Sequence, residues 1–145
     1  MMSFADPSAR RVNWARVIVG GLAAGLLINA FEYGVHRVLL DDAWTAAFRA
    51  LGKAPTGWLA FIPANFGVAL LMVWFYARLR LRYGGGPTTA LRSGLAIWAV
   101  FWVVPMMSLM PMDIFPNRLL AVVIALGFVD VNLAALLGAW LYKEA

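Results

Sequence analysis

Glu32, His36 and Asp130 are the residues best suited to chemistry in this chain, because each is ionisable and each stands in an otherwise apolar stretch. An acidic side chain at the centre of a membrane helix costs roughly 2.5–3.5 kcal/mol on insertion scales, so it needs a partner or a purpose. No lysine or arginine stands at a matching place in the sequence. Asp130 and Glu32 are therefore expected to share protons with Asn29, Asn65 or water. Such a set suits proton carriage or cation binding. Its plainer use is a hydrogen-bonded knot that fixes helix pairing.

His36 follows Glu32 by four residues, the spacing that pairs two side chains on one helix face. Two ligands are too few for a metal without Asp130 or a second chain. There is one histidine and no cysteine, which removes multi-histidine and thiolate sites, disulfides and thiol catalysis within one chain. Met106, Met107, Met110 and Met112 read as apolar gap-filling beside two prolines rather than as a soft-metal site. Gly84-Gly85-Gly86 lacks the lysine of a phosphate loop, and no hydrolase or dinucleotide motif is present. The expectation is a protein that is not an enzyme and takes no metal or cofactor.

The elements that must position these side chains follow from composition. Of 145 residues, 63% are hydrophobic and 13% charged, and the mean hydropathy is +0.80. Soluble domains average roughly 45–50% apolar and about 25% charged, so this chain has too little polar surface to cover a water-soluble globule. Seven Trp, four Tyr and nine Phe with few charges also exclude disorder. No alternating segments suggest an outer-membrane barrel. The fold class expected is an all-α membrane protein, a single transmembrane domain over 1–145. Apolar stretches of about 20 residues place four spans near 17–36, 58–77, 93–112 and 119–142. The first is read as a retained span, not a signal peptide, since no small-x-small cleavage site follows it.

Between the first two spans, Trp44, Phe48 and Leu51 recur at helical spacing over Asp41–Lys53, predicting a short interfacial helix. A loop helix packed on the bundle fits the same pattern. Pro63 and Pro105 fall inside spans and are expected to kink them, with Ser108 near enough to bond a freed carbonyl. Asn117 is a candidate N-cap for the fourth helix.

On the first helix, Gly21, Gly25, Asn29, Glu32 and His36 fall within an arc of roughly 80° at 100° per residue. On the fourth, Gly127, Asp130, Ala134 and Gly138 have helical spacing. Small residues let helices approach closely, so the two faces are expected to meet. At 1.5 Å per residue, Asn29, Asn65 and Asp130 lie near one depth, with Glu32 about one turn further out. Eight Lys and Arg (Arg10, Arg11, Arg16, Arg78, Arg80, Arg82, Arg92, Lys143) stand on one side against four (Arg37, Arg49, Lys53, Arg118) on the other. That bias predicts cytoplasmic termini. The +5 net charge is thus a topology signal, and no nucleic acid is expected as partner.

Three segments together carry a resemblance. They are Trp14-Ala-Arg16 leading to Gly20-Gly21-Leu22-Ala23-Ala24-Gly25 and Asn29, then Gly86-Pro87-Thr88-Thr89-Ala90 leading to Gly94-Leu95 and Trp98, and lastly Gly138-Ala139-Trp140-Leu141-Tyr142-Lys143-Glu144. The set resembles uncharacterised small bacterial four-helix integral membrane proteins. The resemblance implies a bacterial inner-membrane location and carries no activity. Small multidrug-resistance transporters share four helices and a glutamate in the first, but not their sequence signatures with this chain. The function expected is a structural or accessory subunit of a larger membrane complex, in contact with lipid and with other subunits or its own copies. The alternative is a small proton-coupled transporter or ion-binding protein built on Glu32 and Asp130.

Overall fold

Hydrocarbon offers no hydrogen bonds, so a chain that enters it must satisfy its backbone internally, and helices do this within one segment. The computed structural model of the chain describes residues 12–142, which contain helices and no strand. Four helices are long and apolar enough to cross a membrane: Trp14–Leu39, Trp58–Tyr83, Pro87–Met112 and Asn117–Leu141. Arg10, Arg11, Lys143 and Glu144, used above for topology and resemblance, lie outside the described residues.

Helix α1 (Trp14–Tyr33) starts at Asn13, whose Oδ1 accepts the Arg16 N–H at 3.1 Å. It runs on into a wide π turn, Gly34–Leu39, and α2 (Asp41–Ala50) follows at once. A 3-10 turn, Trp58–Ala60, leads into α3 (Phe61–Tyr83). The third span is composite: α4 (Pro87–Trp98), a π stretch (Ala99–Val103), α5 (Val104–Leu109) and a 3-10 turn (Met110–Met112). Helix α6 (Asn117–Leu141) closes the bundle.

The spans extend past the expected limits for physical reasons. Arg78, Arg80 and Arg82 do not end α3, because cations are favourable near a helix C-terminus. Gly84, at φ 78°, does. Pro87 opens α4 at a first-turn position where its missing N–H costs nothing.

Three boundary expectations are corrected. Pro63 stands in the first turn of α3, so it removes no mid-span hydrogen bond. Ser108 donates to the Val104 carbonyl at 2.7 Å, not to the Phe101 carbonyl four residues before Pro105. The disturbance around Pro105 takes the form of the π stretch that precedes it. Asn117 is the first residue of α6 rather than its cap; the Pro116 carbonyl accepts the Leu119 and Leu120 N–H groups at 2.9 and 3.2 Å.

Helix α2 rests on the loop before α6. Trp44 and Phe48 meet Phe115 edge-on, with ring centroids 5.5 and 5.6 Å apart. Leu51, expected on the same face, lies past the helix end and is exposed.

One end of the bundle is tied by tyrosines. The Tyr142 hydroxyl accepts the Asn13 N–H at 2.9 Å, and the Tyr76 hydroxyl accepts the Gly86 N–H at 3.2 Å. Arg80 donates to the Tyr142 carbonyl at 3.1 Å and lies over the rings of Tyr76 and Tyr142. The core behind them holds Ile28, Met72, Val73, Leu120 and Val131.

The expected meeting of the glycine faces is corrected. Gly21 and Gly25 are covered by Leu70 and Phe66 of α3, and Gly127 by Trp102 of the third span. The α1–α6 contact forms one position over: a Cβ on Gly20 would lie 2.7 Å from the Gly138 carbonyl oxygen, and a Cβ on Gly138 would lie 3.4 Å from Ala24 Cβ. Ala134 is buried in the core.

Candidate functional site

The five polar residues singled out from sequence divide into two groups. Asn29 and Asn65 form the first. The Asn65 Nδ2 group donates to Asn29 Oδ1 at 3.1 Å. Asn29 Nδ2 in turn donates to the Gly25 carbonyl at 2.9 Å and the Ile62 carbonyl at 3.4 Å. Both protons of the Asn29 amide are thereby used, and the pair clamps α1 to α3. The expectation that these asparagines share protons with the carboxyl groups is corrected: they bond each other and the backbone.

Glu32, His36 and Asp130 form the second. His36 Nε2 and Glu32 Oε2 are 3.0 Å apart, and the two side chains keep 25% and 22% exposure. The π turn carries His36 to α2, where Trp44 Nε1 donates to His36 Nδ1 at 2.8 Å. Two ring nitrogens thus serve two partners on different helices. π turns inside helices recur where a side chain must be re-aimed for a function.

Asp130 of α6 neighbours Glu32 and is fully buried, at 0% exposure. Among the described residues no amide, hydroxyl or cationic donor reaches either of its oxygens, and the group against it is the Glu32 carboxyl. Two ionised carboxylates cannot bond each other, whereas a proton on either one lets it donate to the other. Buried polar groups are otherwise paired almost without exception, so an orphaned carboxyl group needs an explanation of its own. Trp44, His36, Glu32 and Asp130 are successive neighbours, from a partly exposed ring to this buried acid. Among the described residues, no group of three or more His, Asp or Glu side chains is placed to hold a metal ion.

Sequence reasoning missed two further polar residues. Asn132 is 7% exposed; its Nδ2 donates to the Phe128 carbonyl at 2.7 Å, and among the described residues its Oδ1 has no donor. It fills the space over Gly94, where a Cβ would lie 2.7 Å from that oxygen. The insertion argument that marked Asp130 applies equally to an amide two residues later. Trp44 was read as an interfacial or packing ring and not as a hydrogen-bond donor, since its bond to His36 spans a turn whose shape no periodicity reveals. No family model, curated protein or solved structure matches the chain.

Proposed function

We propose that this is a non-enzymatic multi-pass membrane protein whose Glu32–Asp130 pair binds and passes protons, as in a small proton-coupled transporter. The observation that carries the reading is Asp130: fully buried, without a hydrogen-bond donor among the described residues other than the neighbouring Glu32 carboxyl. Ionisable groups inside membrane bundles are costly and mark proton or ion pathways. A proton is the ligand that satisfies both carboxyl groups at once, and among the described residues no lysine or arginine is paired with either acid.

The test is proton uptake by the reconstituted chain in vesicles under an imposed pH gradient. Asp130→Asn and Glu32→Gln should each abolish uptake while the helical spectrum and elution volume stay those of the parent. Two variants that fold and take up protons at the parent rate would end the reading.

A second reading, a structural or accessory subunit of a larger inner-membrane complex, is favoured by the short links 84–86 and 113–116, which leave residues 40–57 as the one longer described segment between spans. Mass measurement after gentle detergent extraction decides it. A co-purifying protein supports it, and a stable monomer or homodimer counts against it.

A further inference from the structure

Trp44 reaches the His36 ring from a helix other than the one that carries the histidine. An indole N–H only donates, so the nitrogen that receives it, Nδ1, must present a lone pair. The ring proton then belongs on Nε2, which lies 3.0 Å from Glu32 Oε2. The imidazole therefore donates to the carboxylate, and bonds on both sides fix its tautomer and its plane. The same arrangement closes the ring to a new proton. Nδ1 gains one only after the Trp44 bond has opened.

We infer that His36 is the proton port of the Glu32–Asp130 pair, and that Trp44 gates it by locking the imidazole with its proton toward Glu32. This rests on the proton-binding reading of that pair. With the indole bond open, Nδ1 takes a proton from water and the ring becomes an imidazolium. It then gives its Nε2 proton to Glu32 Oε2, which becomes a carboxylic acid able to donate to Asp130. One proton has entered and one has arrived; the ring is neutral again, with its proton on Nδ1. A ring in that state offers Trp44 no acceptor, so the gate recloses only once Nε2 has taken a fresh proton from water and Nδ1 has returned its own to water, leaving a net transfer of one proton from water to Glu32.

Glu32 lies on the same helix as this ring with Asp130 of α6 next to it, and at the α1–α2 corner Arg37 is paired with Asp41 at 2.7 Å. From α2 comes Trp44, backed by Phe115 of the loop before α6. Trp44 is thus a positioning residue, held by aromatic contacts that a phenylalanine preserves.

The chain has one histidine, so nitrogen NMR of protein labelled at histidine reports on His36 alone. In vesicles of phosphatidylethanolamine and phosphatidylglycerol, the parent should carry its ring proton on Nε2, and Trp44→Phe should show a mixture of tautomers. Infrared detection of carboxyl protonation after a pH jump supplies the rate. Trp44→Phe removes one hydrogen bond and should protonate about three- to tenfold faster. His36→Gln keeps a donor toward Glu32 and an acceptor toward Trp44 but relays no proton, and should be about 100-fold slower. A parent ring protonated on Nδ1, or both variants at the parent rate, overturns the gate while leaving the carboxyl site intact. If the parent has no titrating carboxyl band that Asp130→Asn removes, the proton-binding reading falls and the gate with it. The tautomer measurement needs no variant and so stands whether or not the substitutions fold.

Discussion

Two kinds of polar residue sit inside this bundle, and they should respond to substitution in opposite ways. The Asn29–Asn65 pair satisfies itself, with Asn29 donating to two carbonyls and accepting from Asn65. Polar contacts between membrane helices contribute about 0.5–2 kcal/mol, so Asn65→Leu should lower stability by that amount in thermal melts while proton uptake stays unchanged. Asp130 is the reverse case, a buried acid that among the described residues meets no donor unless a proton bridges it to Glu32. Leaving such a group unsatisfied costs about 1–3 kcal/mol. Asp130→Val should therefore raise the melting temperature as it abolishes uptake; a fall would show that the carboxyl group holds the bundle together. From sequence these two kinds of residue looked alike, because each was a polar side chain at one depth. What separates them is whether a donor lies opposite, and that is decided by the neighbouring helix.

At the scale of the element, helix existence was legible and helix facing was not. Runs of apolar residues of sufficient length announce spans whatever they pack against. The facing of α1 was harder to read because Gly20, Gly21 and Gly25 offer small residues in two directions, and the apolar side chains around them favour neither. Packing resolved it: Gly21 and Gly25 went to α3, and Gly20 went to α6. The Glu32–Asp130 approach came through all the same, since the burial cost of an acid is independent of which glycines touch. A pair of alanine substitutions tests this division. Gly20→Ala would put a Cβ 2.7 Å from the Gly138 carbonyl oxygen, so α1 and α6 must part. Overpacking of that kind costs about 1–3 kcal/mol. Gly67→Ala on α3 meets nothing within 4 Å and should stabilise by about 0.5–1 kcal/mol through helix propensity alone. Both values come from the same thermal melts, and a loss of stability at Gly67 as large as that at Gly20 would contradict the assigned faces.

For the whole molecule, the decisive question is which end faces the cytoplasm, because it sets the side from which His36 meets protons. Asn13 bonding Tyr142 puts the first and last spans together at one end, so both termini of the described chain share a side. By the count of basic residues, eight against four over the full sequence, that side is expected to be the cytoplasmic one. Not all of them are free to act as topology signals, however. Arg80 is built into the tyrosine cluster and Arg37 is paired with Asp41, so part of the count serves packing. The bias that survives still favours the Tyr142 end as cytoplasmic, which would turn α2, Trp44 and His36 to the opposite face. The chain has no cysteine, so single substitutions report cleanly. Gly85→Cys, in the link between α3 and α4, should react with an impermeant maleimide only in inside-out vesicles. Thr56→Cys, between α2 and α3, should react only in right-side-out ones. The reverse pattern would leave the bundle and its carboxyl pair as described but open the His36 port to the cytoplasm, and a pH gradient of the opposite sign would then be needed to load it.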